Sequence, residues 1–125
     1  MTANSPPRVL LTAFEDFAEA NGVVRENASR LAVERVAANP PEGVLLSTQI
    51  YAVDFATIRN DVERDAGRGY DAIVMTGQAG TSARLRLELR ARNFGVDWGE
   101  NAGFPLAADG DAVLESTLFT PQLIA

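Results

Sequence analysis

Residues 77–93 read GQAGTSARLRLELRARN, and the apolar run of residues 72–75 leads straight into them. A short run that is apolar on both faces and stops at a glycine-rich turn reads as a buried parallel strand. After the turn the pattern changes to a period of two. Leu85, Leu87, Leu89 and Ala91 alternate with Arg84, Arg86, Glu88, Arg90 and Arg92. That alternation predicts a half-buried strand in an antiparallel extension of the sheet.

The chain before this stretch supplies the rest of a sheet. Residues 9–11 form another run that is apolar on both faces, leading to Thr12-Ala13-Phe14. Asn27 is a good helix cap, and a helix over residues 28–37 would place Ala28, Leu31, Ala32 and Val36 on one face. Asn39-Pro40-Pro41 stops it. Residues 44–53 read as the next strand. Asp54 caps a second helix with Phe55, Ile58, Val62 and Ala66 as its inner face, ended by Gly67-Arg68-Gly69. A third parallel strand over residues 71–76 completes a βαβαβ series. The predicted fold is a three-layer α/β/α domain with a mostly parallel sheet plus an antiparallel extension.

Beyond residue 93 the signals thin out. Residues 94–103 read as a glycine- and asparagine-rich loop holding Trp98, which suits either a partner anchor or a satellite cluster. Thr120-Pro121 is a helix start, followed by only a few residues. The expectation is therefore one domain over residues 1–125, incomplete and truncated, with uncovered strand edges that favour self-association or marginal stability.

Composition removes several function classes. The 125 residues are 46% hydrophobic, enough to bury a core, and the net charge is −6 from 11 basic and 17 acidic residues. An acidic chain argues against nucleic acid or an anionic membrane as its main partner. All 11 basic residues are arginine, so a Walker-type phosphate lysine is excluded. There is no cysteine and no histidine. A Ser-His-Asp triad, a Cys-His pair and a histidine-ligated zinc site cannot be built from this chain alone. No run is long and apolar enough to span a membrane, and the first residues have no apolar signal core, so a cytoplasmic location is expected.

Three groups of residues are candidates for a site. Gly77-Gln78-Ala79-Gly80 follows a buried strand, where either a plain turn or a binding loop fits. Glu88 is the one acid among four arginines, and suits either a cross-strand ion pair or an acid that orients a catalytic group. Phe14 and Phe17 flank the polar pair Glu15-Asp16 at the end of the first strand, where ligands sit in open α/β sheets. They suit either core packing or a flat apolar slot for a ring. A carboxylate site combining Glu88 with Asp97 or Glu100 is a further, weaker reading.

Together these residues resemble the N-terminal part of the pyroglutamyl peptidase I family, the pyrrolidone carboxyl peptidases. Residues 9–17, VLLTAFEDF, are similar to the family's V-L-[LV]-T-G-F-x-P-F-G, with Ala13 in place of a glycine and Asp16 in place of the proline. Residues 77–80 match the family's G-Q-A-G. Glu88, eleven residues after Gly77, stands at the family's spacing for its catalytic glutamate, and Asn93 fits as well. The resemblance implies an α/β/α thiol peptidase that removes N-terminal pyroglutamate from peptides and needs no cofactor or metal. It implies that Phe14 and Phe17 sandwich the pyrrolidone ring, that Gln78 hydrogen-bonds its lactam amide, and that Glu88 orients the catalytic histidine. The family's cysteine and histidine have no counterpart in this sequence. The chain is therefore expected to be inactive alone and to need a complementing C-terminal half, or else to be a non-catalytic module that binds a lactam, a peptide N-terminus or a protein.

Overall fold

Strand β1 (Arg8–Phe14) is the centre of a parallel sheet, between β4 (Leu45–Tyr51) and β5 (Ala72–Met75), in the order β4-β1-β5. Short strands β2 (Phe17–Ala18) and β3 (Val24–Arg25) pair as an antiparallel hairpin after β1. Helix α1 (Ala28–Ala38) links that hairpin to β4, and α2 (Phe55–Ala66) links β4 to β5. The computed structural model describes residues 5–18, 21–95 and 103–119, which fall into two units, Met1–Gly80 and Thr81–Ala125. The predicted βαβαβ series occupies the first unit. Its two crossovers leave β4 and β5 on opposite sides of β1, and right-handed connections then put α1 and α2 on opposite faces.

Among the described residues the fully buried apolar side chains are Leu10, Ala13, Val33 and Tyr51, two of them on β1. Leu10 and Ala13 fall on opposite faces of the strand, as a strand covered on both sides requires. Arg8 ties the opposite end of β1 to the α2–β5 turn. Its backbone N–H donates to Asp71 Oδ2 at 2.7 Å, and its Nη1 donates to the carbonyls of Arg68 and Gly69 at 3.2 Å. Its guanidinium also lies 5.1 Å from the Tyr70 ring centroid, a cation–π contact. The turn passes through Gly69 at φ +78°, a left-handed conformation that glycine adopts without strain.

Both helices use the predicted caps. Asn27 Oδ1 accepts from Ser29 N, and the Asp54 side chain accepts from Ala56 N. Their inward faces differ from expectation. On α1, Ser29 and Val33 are buried, while Leu31 and Val36 are exposed. The cause is the anchoring of Ser29, whose hydroxyl accepts from Phe14 N at 3.2 Å and so turns the Ser29–Val33 stripe toward the sheet. On α2, Ile58 and Val62 are half-buried, Phe55 is exposed, and the fully buried residue is Asp65.

In the second unit, the strand expected from the alternation of residues 84–92 is shorter and occupies only its end. Strand β6 (Arg90–Arg92) pairs antiparallel with β7 (Val113–Glu115), three residues against three. A strand extends only as far as a partner backbone satisfies it. The ladder runs one bond further, from Ser116 N to the Leu89 carbonyl. Before that, Leu85 is wholly exposed and Leu87 is 53% exposed, so the alternation there buries no face among the described residues. Gly95 and Phe104 exchange two backbone bonds of 2.8 Å. The Phe94 ring lies so close over Gly103 that a Cβ there would collide with it. Trp98, Asp97, Glu100 and the Thr120-Pro121 helix start lie outside the described residues.

Candidate functional site

The C-terminal ends of the three parallel strands gather the candidate residues of the first unit. Phe14 ends β1, Tyr51 ends β4 in register with it, and Gly77 lies just past β5. The Phe14 and Tyr51 rings meet edge to face, with centroids 6.4 Å apart and planes at 60°. On the other side, Phe14 Cδ2 and Cε2 are 3.9 Å from the position a Gly77 Cβ would take. Phe14 is thus held between β4 and the turn after β5, and its ring stays half-buried. The turn is fixed to β1 through Thr76, whose N–H and hydroxyl both donate to the Thr12 carbonyl, at 2.9 and 2.7 Å. Thr12 Oγ1 is buried and has no partner among the described residues.

Gln78 reaches from this turn to the start of α1. Its Oε1 accepts from Ala28 N at 2.7 Å, across fifty residues of sequence. The start of a helix leaves backbone N–H groups without intrahelical partners. Here three of them find side chains: Asn27 N donates to Asp16 Oδ1, Ala28 N to Gln78 and Ser29 N to Asn27. The Gln78 oxygen is committed to the helix, and its amide NH₂ has no acceptor among the described residues. A carboxamide bound through oxygen presents its two N–H donors on the other side. The lip of the strands therefore offers a donor.

Phe17 is half-buried on the β2–β3 hairpin, paired in register with Arg25. The hairpin is pinned by Asp16, the residue standing where the family pattern has proline. Asp16 takes a two-pronged contact from Arg30, Nε to Oδ1 at 2.9 Å and Nη2 to Oδ2 at 3.1 Å. Arg30 also reaches Glu34 at 2.9 Å. The Arg30 guanidinium, with help from the Asn27 N–H, holds the Asp16 carboxyl below the usual carboxylate range. The same carboxylates push the Arg30 guanidinium further from deprotonation.

A buried polar cluster stands behind Phe14. Tyr51 Oη donates to Asp65 Oδ2 at 2.8 Å, and Asp65 has no exposed surface. Arg64 and Arg68 contact Asp65 from its solvent side, at 3.3 and 3.2 Å. The Arg64 hydrogen bond, followed by that from Tyr51, holds the Asp65 carboxyl low. Burial, with the adjoining carboxylate, pushes the Tyr51 hydroxyl up to about 12. The sequence carries a sign of this cluster. Asp65 falls seven residues after Ile58 and three after Val62, on the stripe expected to be apolar.

Glu88 belongs to the second unit. It is exposed in the segment before β6 and has no hydrogen bond or ion pair among the described residues. Its arginine neighbour Arg90 instead faces Glu115 across the ladder at 3.5 Å. Asn93 has a defined place. Its Nδ2 donates to the Ala107 carbonyl at 2.7 Å, and its Oδ1 accepts from Ala107 N at 2.8 Å. Phe14 and Gln78 thus converge on one lip with Phe17 on the adjoining hairpin, and Glu88 belongs to the second unit. No group of histidine, cysteine and carboxylate side chains able to hold a metal occurs among the described residues. No described helix is long and apolar enough to cross a membrane.

No family model and no curated protein matches the sequence. A solved structure does match: the crystal structure of pyrrolidone carboxyl peptidase from the thermophilic keratin-degrading bacterium Fervidobacterium islandicum AW-1, with a TM-score of 0.70 and 24% sequence identity. The match covers 87% of this chain and 54% of that one, so the chain spans about half the length of the enzyme it resembles. The chain, a mixed α/β structure with a parallel sheet and antiparallel additions, has the pyrrolidone carboxyl peptidase fold over that span.

Proposed function

We propose that this chain is a pyroglutamyl-peptidase-like protein whose first unit holds the pyrrolidone ring of a peptide's N-terminal pyroglutamate. The observation that supports this reading is the convergence of Phe14 and the Gln78 amide at the C-terminal lip of a sheet with the peptidase fold. Phe14 and Phe17 supply apolar faces for a flat ring. Gln78 supplies N–H donors for the lactam carbonyl while its oxygen caps α1.

In this reading Glu88 is the acid that orients a histidine and stabilises its cation, so that a cysteine thiolate can attack the acyl carbonyl. Neither the thiol nor the imidazole is among these 125 residues. Catalysis by this route needs a second polypeptide segment that carries both. The alternative is a non-catalytic module of this fold that binds a lactam, a peptide N-terminus or a protein.

Titration with L-pyroglutamyl amide, followed by NMR, tests the shared part of both readings. Saturable shifts at the amides of Phe14, Ala28 and Gln78 are expected. Phe14→Ala should weaken binding about 10-fold, in line with the worth of an aromatic face. Gln78→Glu keeps an acceptor for Ala28 N and removes the donors, so it should weaken binding while leaving α1 folded. Absence of saturable binding overturns the peptidase-like reading and the lactam-binding form of the alternative. Turnover of a fluorogenic pyroglutamyl amide in the presence of a complementing half separates the two. There Glu88→Gln should lower kcat on the order of 10²–10⁴-fold, and unchanged turnover removes Glu88 from the mechanism.

A further inference from the structure

Phe14 ends the central strand, and its neighbour across the sheet is a tyrosine that is itself fastened from behind. Tyr51 is 3% exposed, so solvent plays no part in placing its ring. Its ring meets Phe14 edge to face. Its hydroxyl ends on Asp65, which has no exposed surface and is gripped in turn by Arg64 and Arg68. The backbone is locked at the same place, because the Tyr51 carbonyl accepts from Glu15 N at 2.8 Å. Phe14 has Gly77 on its other flank, which offers no side chain to hold the ring. One flank is an anchored ring, and the other is the backbone of a glycine turn.

We propose that Tyr51 is a positioning residue for ligand specificity, and that Asp65 holds it in that role. This rests on the reading of Phe14 as a wall of the ring slot. A flat ligand ring gains from an aromatic face only when that face is presented at a set angle. Tyr51 sets the angle by blocking rotation of Phe14 toward β4. Asp65 sets Tyr51 by anchoring the far end of its side chain in a place where an unpaired hydroxyl is unfavourable. The arrangement selects for ligands with a planar ring over acyclic amides of the same polarity. Asp65 acts through Tyr51, and Tyr51 acts through Phe14; neither needs to touch the ligand.

The test compares L-pyroglutamyl amide with N-acetylglycinamide, which carries amide groups but no ring. Affinities are measured for the parent chain and for Tyr51→Phe, Tyr51→Leu and Asp65→Leu, each at a temperature where circular dichroism shows it folded. The parent should prefer the ring compound. Tyr51→Leu should erase that preference by about 10-fold while changing affinity for the acyclic amide less than 2-fold. Tyr51→Phe, which keeps the ring, should retain most of the preference. Asp65→Leu should fall between the two. A variant that is merely less folded loses affinity for both compounds in proportion. If the parent prefers the ring and Tyr51→Leu keeps that preference, the positioning role is overturned and the slot reading stands. If Tyr51→Phe behaves as Tyr51→Leu, or Asp65→Leu as the parent, the ring contact or the anchor, respectively, is overturned. If the parent binds neither compound, the slot reading fails and this inference fails with it.

Discussion

The first unit closes around buried side chains, whereas the second closes around backbone bonds and one asparagine. Leu10, Ala13, Val33, Tyr51 and Asp65 are all buried in the first. In the second, every residue of β6 and β7 is exposed, and no described side chain is buried. Its order comes from the three-residue ladder, the Gly95–Phe104 exchange and the Asn93 clamp on Ala107. Burial of apolar surface is the larger stabilising term, and exposed backbone bonds add little net free energy. The two units should therefore differ in local stability, with Phe14 and Gln78 on the firm side and Glu88 on the soft side.

The sharpest way to break this comparison is a pair of leucine truncations. Leu10→Ala should cost about 2–5 kcal/mol, the usual range for a buried leucine. Leu85→Ala, at a wholly exposed position, should change stability by less than about 0.5 kcal/mol. Urea unfolding followed by circular dichroism measures both. Similar losses in the two variants would mean that Leu85 is covered in solution, by another copy or another chain.

The next effect is a pH dependence confined to the first unit. The Tyr51 hydroxyl is raised to about 12 in the folded chain, against about 10 in an unfolded one. Folded protein keeps this proton where the unfolded chain has lost it. Its contribution is fully present below pH ~10 and is lost as pH rises toward ~12, with a total on the order of 2 kcal/mol. Asp65, held low, acts in the opposite sense. Its contribution is present above the ordinary carboxylate range and is lost as pH falls through its folded value. Tyr51→Phe should flatten the alkaline limb of a stability-against-pH curve. An unchanged limb would disconnect it from Tyr51.

The smallest effect sharpens the picture of the second unit. Asn93→Ala removes the two bonds to Ala107 and should cost about 1–2 kcal/mol locally. Hydrogen exchange reads it: the Asn93 and Ser116 amides should exchange faster, while those of Leu10 to Thr12 stay unchanged. Faster exchange spread over both units would mean that they unfold as one.

What the sequence made legible was what short-range chemistry decides. Asn27 and Asp54 cap their helices through the next turn, and the apolar runs of β1 and β5 announce strands covered on both sides. Interactions across long separations were not legible. Nothing beside Asp65 in the chain names Tyr51 as its partner, and nothing beside Asp16 names Arg30. The alternation of residues 84–92 is a property of the chain, but pairing is a property of the partner, and β7 is three residues long. Of the site, Phe14 and Gln78 were placed together by the topology of β1 and β5. Glu88 was legible only as a spacing, because no described neighbour holds its carboxylate.

The bond from Ala28 N to Gln78 has a consequence for the order of folding. Helix α1 could form early from local contacts, but its first turn is completed by a residue fifty positions later. Closing a loop of that length carries an entropic cost that must be met before the bond can form. The helix start therefore matures only after β5 has docked on β1. Side-chain substitutions at Gln78 should speed unfolding and leave the folding rate almost unchanged, the kinetic signature of a contact made after the transition state.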